Sequence, residues 1–338
     1  MKFAFIADIH LSRYGQDKIE ETTNLPERLY SIKQALYEVG DYCIENKISN
    51  IIIGGDIMHG KSIIYTVAQD LIIEFIDHFS EIHFYVIDGN HDITSKSSSA
   101  ISALRFMNNM INVTWIPWNE TLETEDILFV PYSYKMLDII KREKTKILIS
   151  HFGLTEATLN SGMSIITNIG LKDLSNYQLV LLGHYHKPQE IIRDNFHLYY
   201  SGSLIQLDWG EKGEEKRFLV VDSDTLKVDS IPLTKYKKHI EIEINSDNKT
   251  EALKEALKAK EAGHHVKIIK RDKVNLDSIE AEYNIVDKTE VDITNRGISS
   301  TMSHQDRLLK FLEIREIEEE YQDEYMKIAL EIVENSEV

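Results

Sequence analysis

The feature that most limits the fold is a recurring punctuation: short apolar, β-branched runs that stop abruptly at Asp, Asn, Gly or His. KFAFIAD, NIIIGGD, IHFYVIDGNHD, ILFVPY, KILISH, LVLLGH, HLYYSGS and RFLVVD all occur between Lys2 and Asp222. Apolar runs without polar alternation are the pattern of strands buried on both faces, and such strands need a covering layer on each side. Helical spacing appears between the first few runs, with Leu29, Ile32, Leu36 and Val39 inside 26–46 and Ile64, Val67, Leu71, Phe75 and Phe79 inside 62–79. Strand and helix alternate, so the class is α/β.

After Leu233 the pattern changes. IEIEI alternates like a half-exposed strand, 248–262 reads as a polar helix ended by Gly263, and HVKIIKR and YNIVDKTEVDI supply two more strands. The expected organisation is a main domain at 1–233, a small α+β capping domain at 234–294, a polar linker at 295–303 and a helical segment at 304–338. In that last segment Leu308, Phe311, Leu312, Arg315, Tyr321, Tyr325, Ile328 and Ile332 recur mostly every three or four residues beside an acidic face.

The single cysteine, Cys43, excludes an internal disulfide framework and a cysteine-based zinc site, and agrees with a reducing compartment. No apolar run reaches membrane-spanning length and no leader pattern opens the chain, so a soluble, intracellular, cytoplasmic protein without a membrane partner is expected. A formal net charge of −18 argues against nucleic-acid binding by bulk electrostatics. Locally, however, Lys235, Lys237, Lys238, His239, His264, His265, Lys267, Lys270, Arg271 and Lys273 form a basic stretch suited to phosphate contact.

The chemistry lies in the residues just past each apolar run. ADIH ends in Asp8 and His10, GGDIMH in Asp56 and His59, and GNHD in Asn90, His91 and Asp92; ISH ends in His151 and GHYH in His184 and His186. Read as five strands of one sheet, these segments bring metal-type ligands together at the carboxyl ends of the strands, where sites in α/β sheets assemble. His184 and His186, two residues apart on an extended segment, point the same way. Singly, Asp8 reads equally well as a helix cap, Asp56 as a turn residue and His151 as a core histidine; the joint pattern is what points to a metal. Imidazole, carboxylate and amide oxygen together suit Mn, Fe, Zn or Co better than Mg. Gly54, Gly55, Gly89 and Gly183 are expected to let the backbone turn sharply beside the site.

The ordered series DxH, GDxxH, GNHD, H and GHxH resembles the calcineurin-like metallophosphoesterase superfamily over roughly the first two hundred residues. That resemblance implies a four-layer α/β/β/α sandwich holding two divalent ions, with manganese expected. It places Asp8, His10, Asp56 and His186 on one ion and Asp56, Asn90, His151 and His184 on the other, Asp56 bridging. Such an ion pair acidifies a water and clamps a phosphate for in-line attack. His91 lies outside the ligand set. Its neighbour Asp92 is expected to accept a hydrogen bond from one ring nitrogen, leaving the other to protonate the leaving oxygen.

GGDIMHG, with His59 three residues after Asp56, is similar to the SbcD nuclease family and its relative in the eukaryotic MRN repair complex, where the matching histidine lies beside the DNA backbone. This finer resemblance implies a metal-dependent DNA phosphodiesterase, a 3′ to 5′ double-strand exonuclease with single-strand endonuclease activity. It also implies a coiled-coil ABC ATPase partner of the SbcC type, docked on the helical tail, and a homodimer formed through the helices at 26–46 and 62–79. YSGSL departs from the family's YPGS-like turn, with Ser201 in place of proline. The competing readings are a stand-alone phosphatase or cyclic-nucleotide phosphodiesterase, and a non-catalytic scaffold bridging an ATPase to DNA.

Overall fold

The computed structural model describes residues 1–288, except 15, 16, 21, 22, 277, 278, 280 and 281, together with 310 and 325. The linker expected at 295–303 and, but for those two positions, the helical segment at 304–338 lie outside the described residues. The chain divides into two units, Met1–Ile240 with Ala259–His265, and Glu241–Lys258 with Val266–Val338.

The first unit is built on two six-stranded sheets. One contains β1 (Lys2–Ile6), β2 (Asn50–Ile53), β3 (His83–Ile87), β4 (Val113–Ile116), β11 (Arg217–Asp222) and β12 (Lys227–Pro232), in the order β12-β11-β1-β2-β3-β4. The other contains β5 (Leu122–Glu123), β6 (Ile127–Val130), β7 (Ile147–His151), β8 (Leu179–Gly183), β9 (Gln189–Arg193) and β10 (Phe196–Tyr200), in the order β5-β6-β7-β8-β10-β9. The ligand-bearing strands therefore belong to two sheets: β1, β2 and β3 lie in one, β7 and β8 in the other. This corrects the single sheet expected from the apolar runs, which record burial but not the sheet a strand joins.

Alternation along each strand sorts its side chains into separate cores. Phe3 and Phe5 of β1, with Ile147 and Ile149 of β7 and Leu179 and Leu181 of β8, fill the space between the sheets. Ala4 and Ile6 turn the other way, onto α1 (Glu27–Glu45) and α2 (Thr66–His78). Leu148, Val180 and Leu182 face a third core with Met136 and Ile140 of α3 (Met136–Arg142). The result is helix, sheet, sheet, helix. Each fully buried Phe, Leu or Ile contributes roughly 1.5–3 kcal/mol of transfer free energy, so the strands that carry the site lie in the best-anchored part of the unit.

Helix α1 follows its expected span, burying Leu29, Ile32, Leu36, Val39 and Cys43 on one stripe. Helix α2 starts later than expected, at Thr66, because Tyr65 is extended (ψ 130°) and leaves Ile63 and Ile64 exposed outside the helix. Past β12 come β13 (His239–Ile244), α4 (Lys249–Glu261), β14 (His265–Lys270) and β15 (Asn284–Asp287), the three strands forming one sheet with β14 and β15 parallel.

Candidate metal centre

Parallel pairing of β1 with β2 and of β2 with β3 brings three carboxyl ends side by side, and pairing of β7 with β8 sets His151 opposite Gly183. The ladder continues into the loops: Asp8 N–H donates to Gly55 O (3.1 Å), His10 N–H to Asp56 O (3.0 Å) and Leu11 N–H to Ile57 O (2.7 Å). The turns are tight enough to force Asp8 (φ 54°), His10 (φ 53°), Asp56 (φ 55°) and His184 (φ 106°) to positive φ. Such residues cost roughly 1–3 kcal/mol each and persist only where surrounding packing and hydrogen bonds hold them. Of the four glycines expected to turn here only Gly55 has positive φ (92°); Gly54, Gly89 and Gly183 are required for room instead, a Cβ on Gly89 striking the Asp56 side chain.

All the expected ligands converge. His10 Nε2 lies 3.0 Å from His186 Nε2 and 3.6 Å from Asp56 Oδ2. His151 Nε2 lies 3.3 Å from the same Asp56 oxygen and 3.0 Å from Asn90 Oδ1, which is 2.8 Å from His184 Nδ1. Asp56 thus adjoins both groups. Asp8 accepts from the His184 N–H (2.9 Å) and completes two ligand triads, Asp8–His10–His186 and Asp8–Asp56–His151, whose donor atoms lie within 4.8 Å of one another. His10, His59 and His91 meet the same criterion.

The charge pattern calls for cations. Asp8 and Asp56 are buried, and among the described residues neither pairs with lysine or arginine. Burial pushes the Asp8 carboxyl up; it acts the same way on Asp56, but His151 and His10 outweigh it and hold that group well below the usual carboxylate range. Burial also keeps His10 neutral well below 6.5 and, with His151, pushes His184 down to about 3. His151 goes the other way: burial disfavours its charge, yet Asp56 and Asp8 outweigh it and push it up to about 9. Imidazole lone pairs, two carboxylates and an amide oxygen in one buried cluster fit a pair of divalent ions, whose entry must displace the His151 proton.

His59 and His91 stand beside this cluster. Their rings stack at 5.3 Å with an 18° interplanar angle, and His59 Nδ1 lies 3.4 Å from His10 Nδ1. His91 Nδ1 donates to the His59 carbonyl (2.7 Å), so Nε2 is the nitrogen left for chemistry. Asp92 is not its partner, contrary to expectation. The Asp92 side chain is wholly buried and accepts backbone N–H groups from Asp56 (2.7 Å), Ile57 (3.3 Å), Met58 (2.9 Å) and Gly89 (2.9 Å). Adjacent residues in this tight turn point apart: the carboxylate goes inward to unpaired amides and the imidazole outward. Burial and the nearby Asp56 and Asp88 charges push Asp92 up to about 8, against the pull of those amides.

Two groups had no signature in the motifs. Glu211, in a single 3₁₀ turn, accepts from His186 Nδ1 at 2.9 Å; Lys216, wholly buried, pairs with it at 2.7 Å. The basic stretch is also less available than its sequence suggests. Lys235 pairs with Asp41, Lys237 with Glu20 and Glu27, Lys267 with Glu241, Lys270 with Asp287 and Arg271 with Glu243. In a chain with 56 acidic residues against 38 basic ones, a lysine row finds carboxylates before it finds phosphates.

A family model for calcineurin-like phosphoesterases matches residues 1–188, the span holding every one of these ligands. The chain belongs to that family. This phosphoesterase is accordingly a metal-dependent phosphoester hydrolase, and its His/Asp cluster has the donor set to hold metal ions. "Putative phosphoesterase 244L" of Invertebrate iridescent virus 6 is 29% identical over 196 residues, covering 54% of this chain and 68% of the viral protein. Among solved structures, a dimetal phosphatase from Danio rerio matches 69% of this chain and 99% of its own at 10% identity and a TM-score of 0.43. An archaeal phosphodiesterase matches 69% and 100% at 13% identity and 0.36. No helix among the described residues is long and apolar enough to cross a membrane.

Proposed function

We propose that this phosphoesterase is an SbcD-type nuclease: a dinuclear, manganese-dependent DNA phosphodiesterase acting as a 3′ to 5′ double-strand exonuclease and single-strand endonuclease. The observation that carries the reading is the stacked His59–His91 pair at the edge of the ligand cluster, His59 coming from the GGDIMHG motif. The metal set is Asp8, His10, Asp56 and His186 for one ion and Asp56, Asn90, His151 and His184 for the other. Bound there, divalent ions supply positive charge for the phosphate and acidify a water.

The chain's own residues do the rest. His91, anchored through Nδ1 by the His59 carbonyl, presents Nε2 as the proton donor to the leaving oxygen, and His59 flanks the scissile phosphate. Asp92 holds the Asp56 turn by its amides and so acts through the metal ligand rather than through His91. With a net charge of −18 and a basic stretch largely paired to carboxylates, the subunit holds DNA weakly by itself. That supports a division of labour in which an SbcC-type ATPase, docked on 304–338, and a second nuclease subunit grip the duplex while this chain cuts.

Incubating the metal-loaded protein with linear duplex DNA, single-stranded DNA, a phosphomonoester and a cyclic nucleotide in Mn²⁺ tests the substrate class. Shortened duplex with 5′-mononucleotides is expected; hydrolysis of the small esters with DNA left intact would make it a stand-alone phosphatase or cyclic-nucleotide phosphodiesterase. Deleting 301–338 is expected to abolish copurification with the ATPase while sparing Mn²⁺-dependent cleavage of short DNA.

A further inference from the structure

One buried ion cluster grips His186 at two points. Its Nδ1 donates to Glu211 Oε1 (2.9 Å), and its carbonyl accepts from Lys216 Nζ (3.0 Å). The same ammonium closes on Glu211 Oε2 (2.7 Å) and Glu214 Oε2 (2.9 Å). Ser203 Oγ (3.0 Å) and the Leu207 N–H (3.1 Å) complete the Glu211 Oε2 shell, so Oε1 is kept for the ring. An ionised carboxylate only accepts hydrogen bonds. The ring therefore carries its proton on Nδ1 and directs the Nε2 lone pair toward His10 Nε2, 3.0 Å away.

Among the described residues, no carboxylate backs a ring in the other half of the cluster. His151 Nδ1 donates to a neutral acceptor, the Gly54 carbonyl (2.8 Å), and His184 turns Nδ1 toward Asn90. A carboxylate behind an imidazole raises its basicity as a ligand and fixes its orientation. Burying a lysine among carboxylates is costly, and Lys216 has Glu214 for a partner without Glu211. The third member, Glu211, spends an oxygen on a ligand ring.

We infer that Glu211, held by Lys216, is a positioning residue that locks His186 in its Nδ1–H tautomer and makes the His10/His186 half the tighter of the two ion sites. The inference rests on reading the cluster as a dinuclear metal centre. It predicts ordered loading, with the first ion at His10/His186 and the second at Asn90/His151/His184.

Calorimetric titration of the EDTA-stripped full chain with Mn²⁺ tests it. Wild type is expected to bind in two steps, and Glu211→Gln to weaken the tighter step about 10–100-fold while leaving the other unchanged. Glu214→Gln, which leaves Lys216 its Glu211 and His186 partners and does not touch the ring, is expected to lower the melting temperature and preserve both affinities. Wild-type affinities in Glu211→Gln would overturn the positioning role alone; no Mn²⁺ uptake by wild type would overturn the metal centre and the inference with it. Should Glu211→Gln fail to fold, ¹⁵N spectra of the His186 ring in Zn²⁺-loaded wild type decide: a proton on Nδ1 with zinc on Nε2 is expected, and zinc on Nδ1 overturns the assignment.

Discussion

Replacing Asp92 by Asn exchanges one of two wholly buried carboxylate oxygens for an NH₂ group. Oδ2 accepts from Asp56, Ile57 and Gly89, and Oδ1 accepts from Met58 alone, so the asparagine settles with its oxygen on the threefold side. Its NH₂ then faces the Met58 N–H, donor to donor. One buried amide left without an acceptor costs about 1–3 kcal/mol, the loss expected for Asp92→Asn. Asp92→Ala strands all four amides and is expected to cost on the order of 5 kcal/mol, comparable with the whole stability of many domains. The assay is urea unfolding of the EDTA-stripped chain followed by tryptophan emission, since Trp115, Trp118 and Trp209 all lie in the first unit. A midpoint lower by about 1 M is expected for Asn, with Mn²⁺ affinity reduced because the Asp56 turn loosens. A wild-type midpoint combined with an altered pH–rate profile would refute the reasoning and return Asp92 to the role of partner to His91.

His91→Ala is expected to leave Mn²⁺ binding largely intact and slow phosphoester hydrolysis by roughly two to four orders of magnitude, measured under saturating metal; near-wild-type turnover would remove His91 from the chemistry. Asp56→Asn is expected to impair both ion sites, because its Oδ2 adjoins His10 and His151 alike, and two full equivalents of metal in that variant would show that it is no bridge. Because His151 is raised from 6.5 to about 9, its stabilising contribution to the ion-free fold is complete below 6.5 and lost as pH rises through 9. Mn²⁺ affinity is expected to move oppositely, rising over the same window as the competing proton leaves; melts in EDTA and titrations across that range, with both quantities falling together as the refuting result, check the sign.

The apolar runs were enough to place every central strand of the two six-stranded sheets, and the residues just past them were enough to name the side chains that converge, because a strand buried on both faces leaves a continuous apolar record and a site at its end leaves polar residues where the record stops. The strands of the first unit without such a record, β4, β5, β9 and β12, are the edges of its two six-stranded sheets, where partial exposure removes the apolar continuity. Partnership was legible only in three dimensions. Asp92 follows His91 in the chain yet serves the amides of residues 56–58, some 35 positions away, and His186 takes its carboxylate from Glu211, 25 positions on. Likewise the lysines that read as a row for phosphate meet acids brought from as far as Glu20 and Asp41. Residue type and local spacing determine which groups can bind a metal or move a proton; which hydrogen bond each one makes depends on long-range packing, which brings together groups the chain keeps apart.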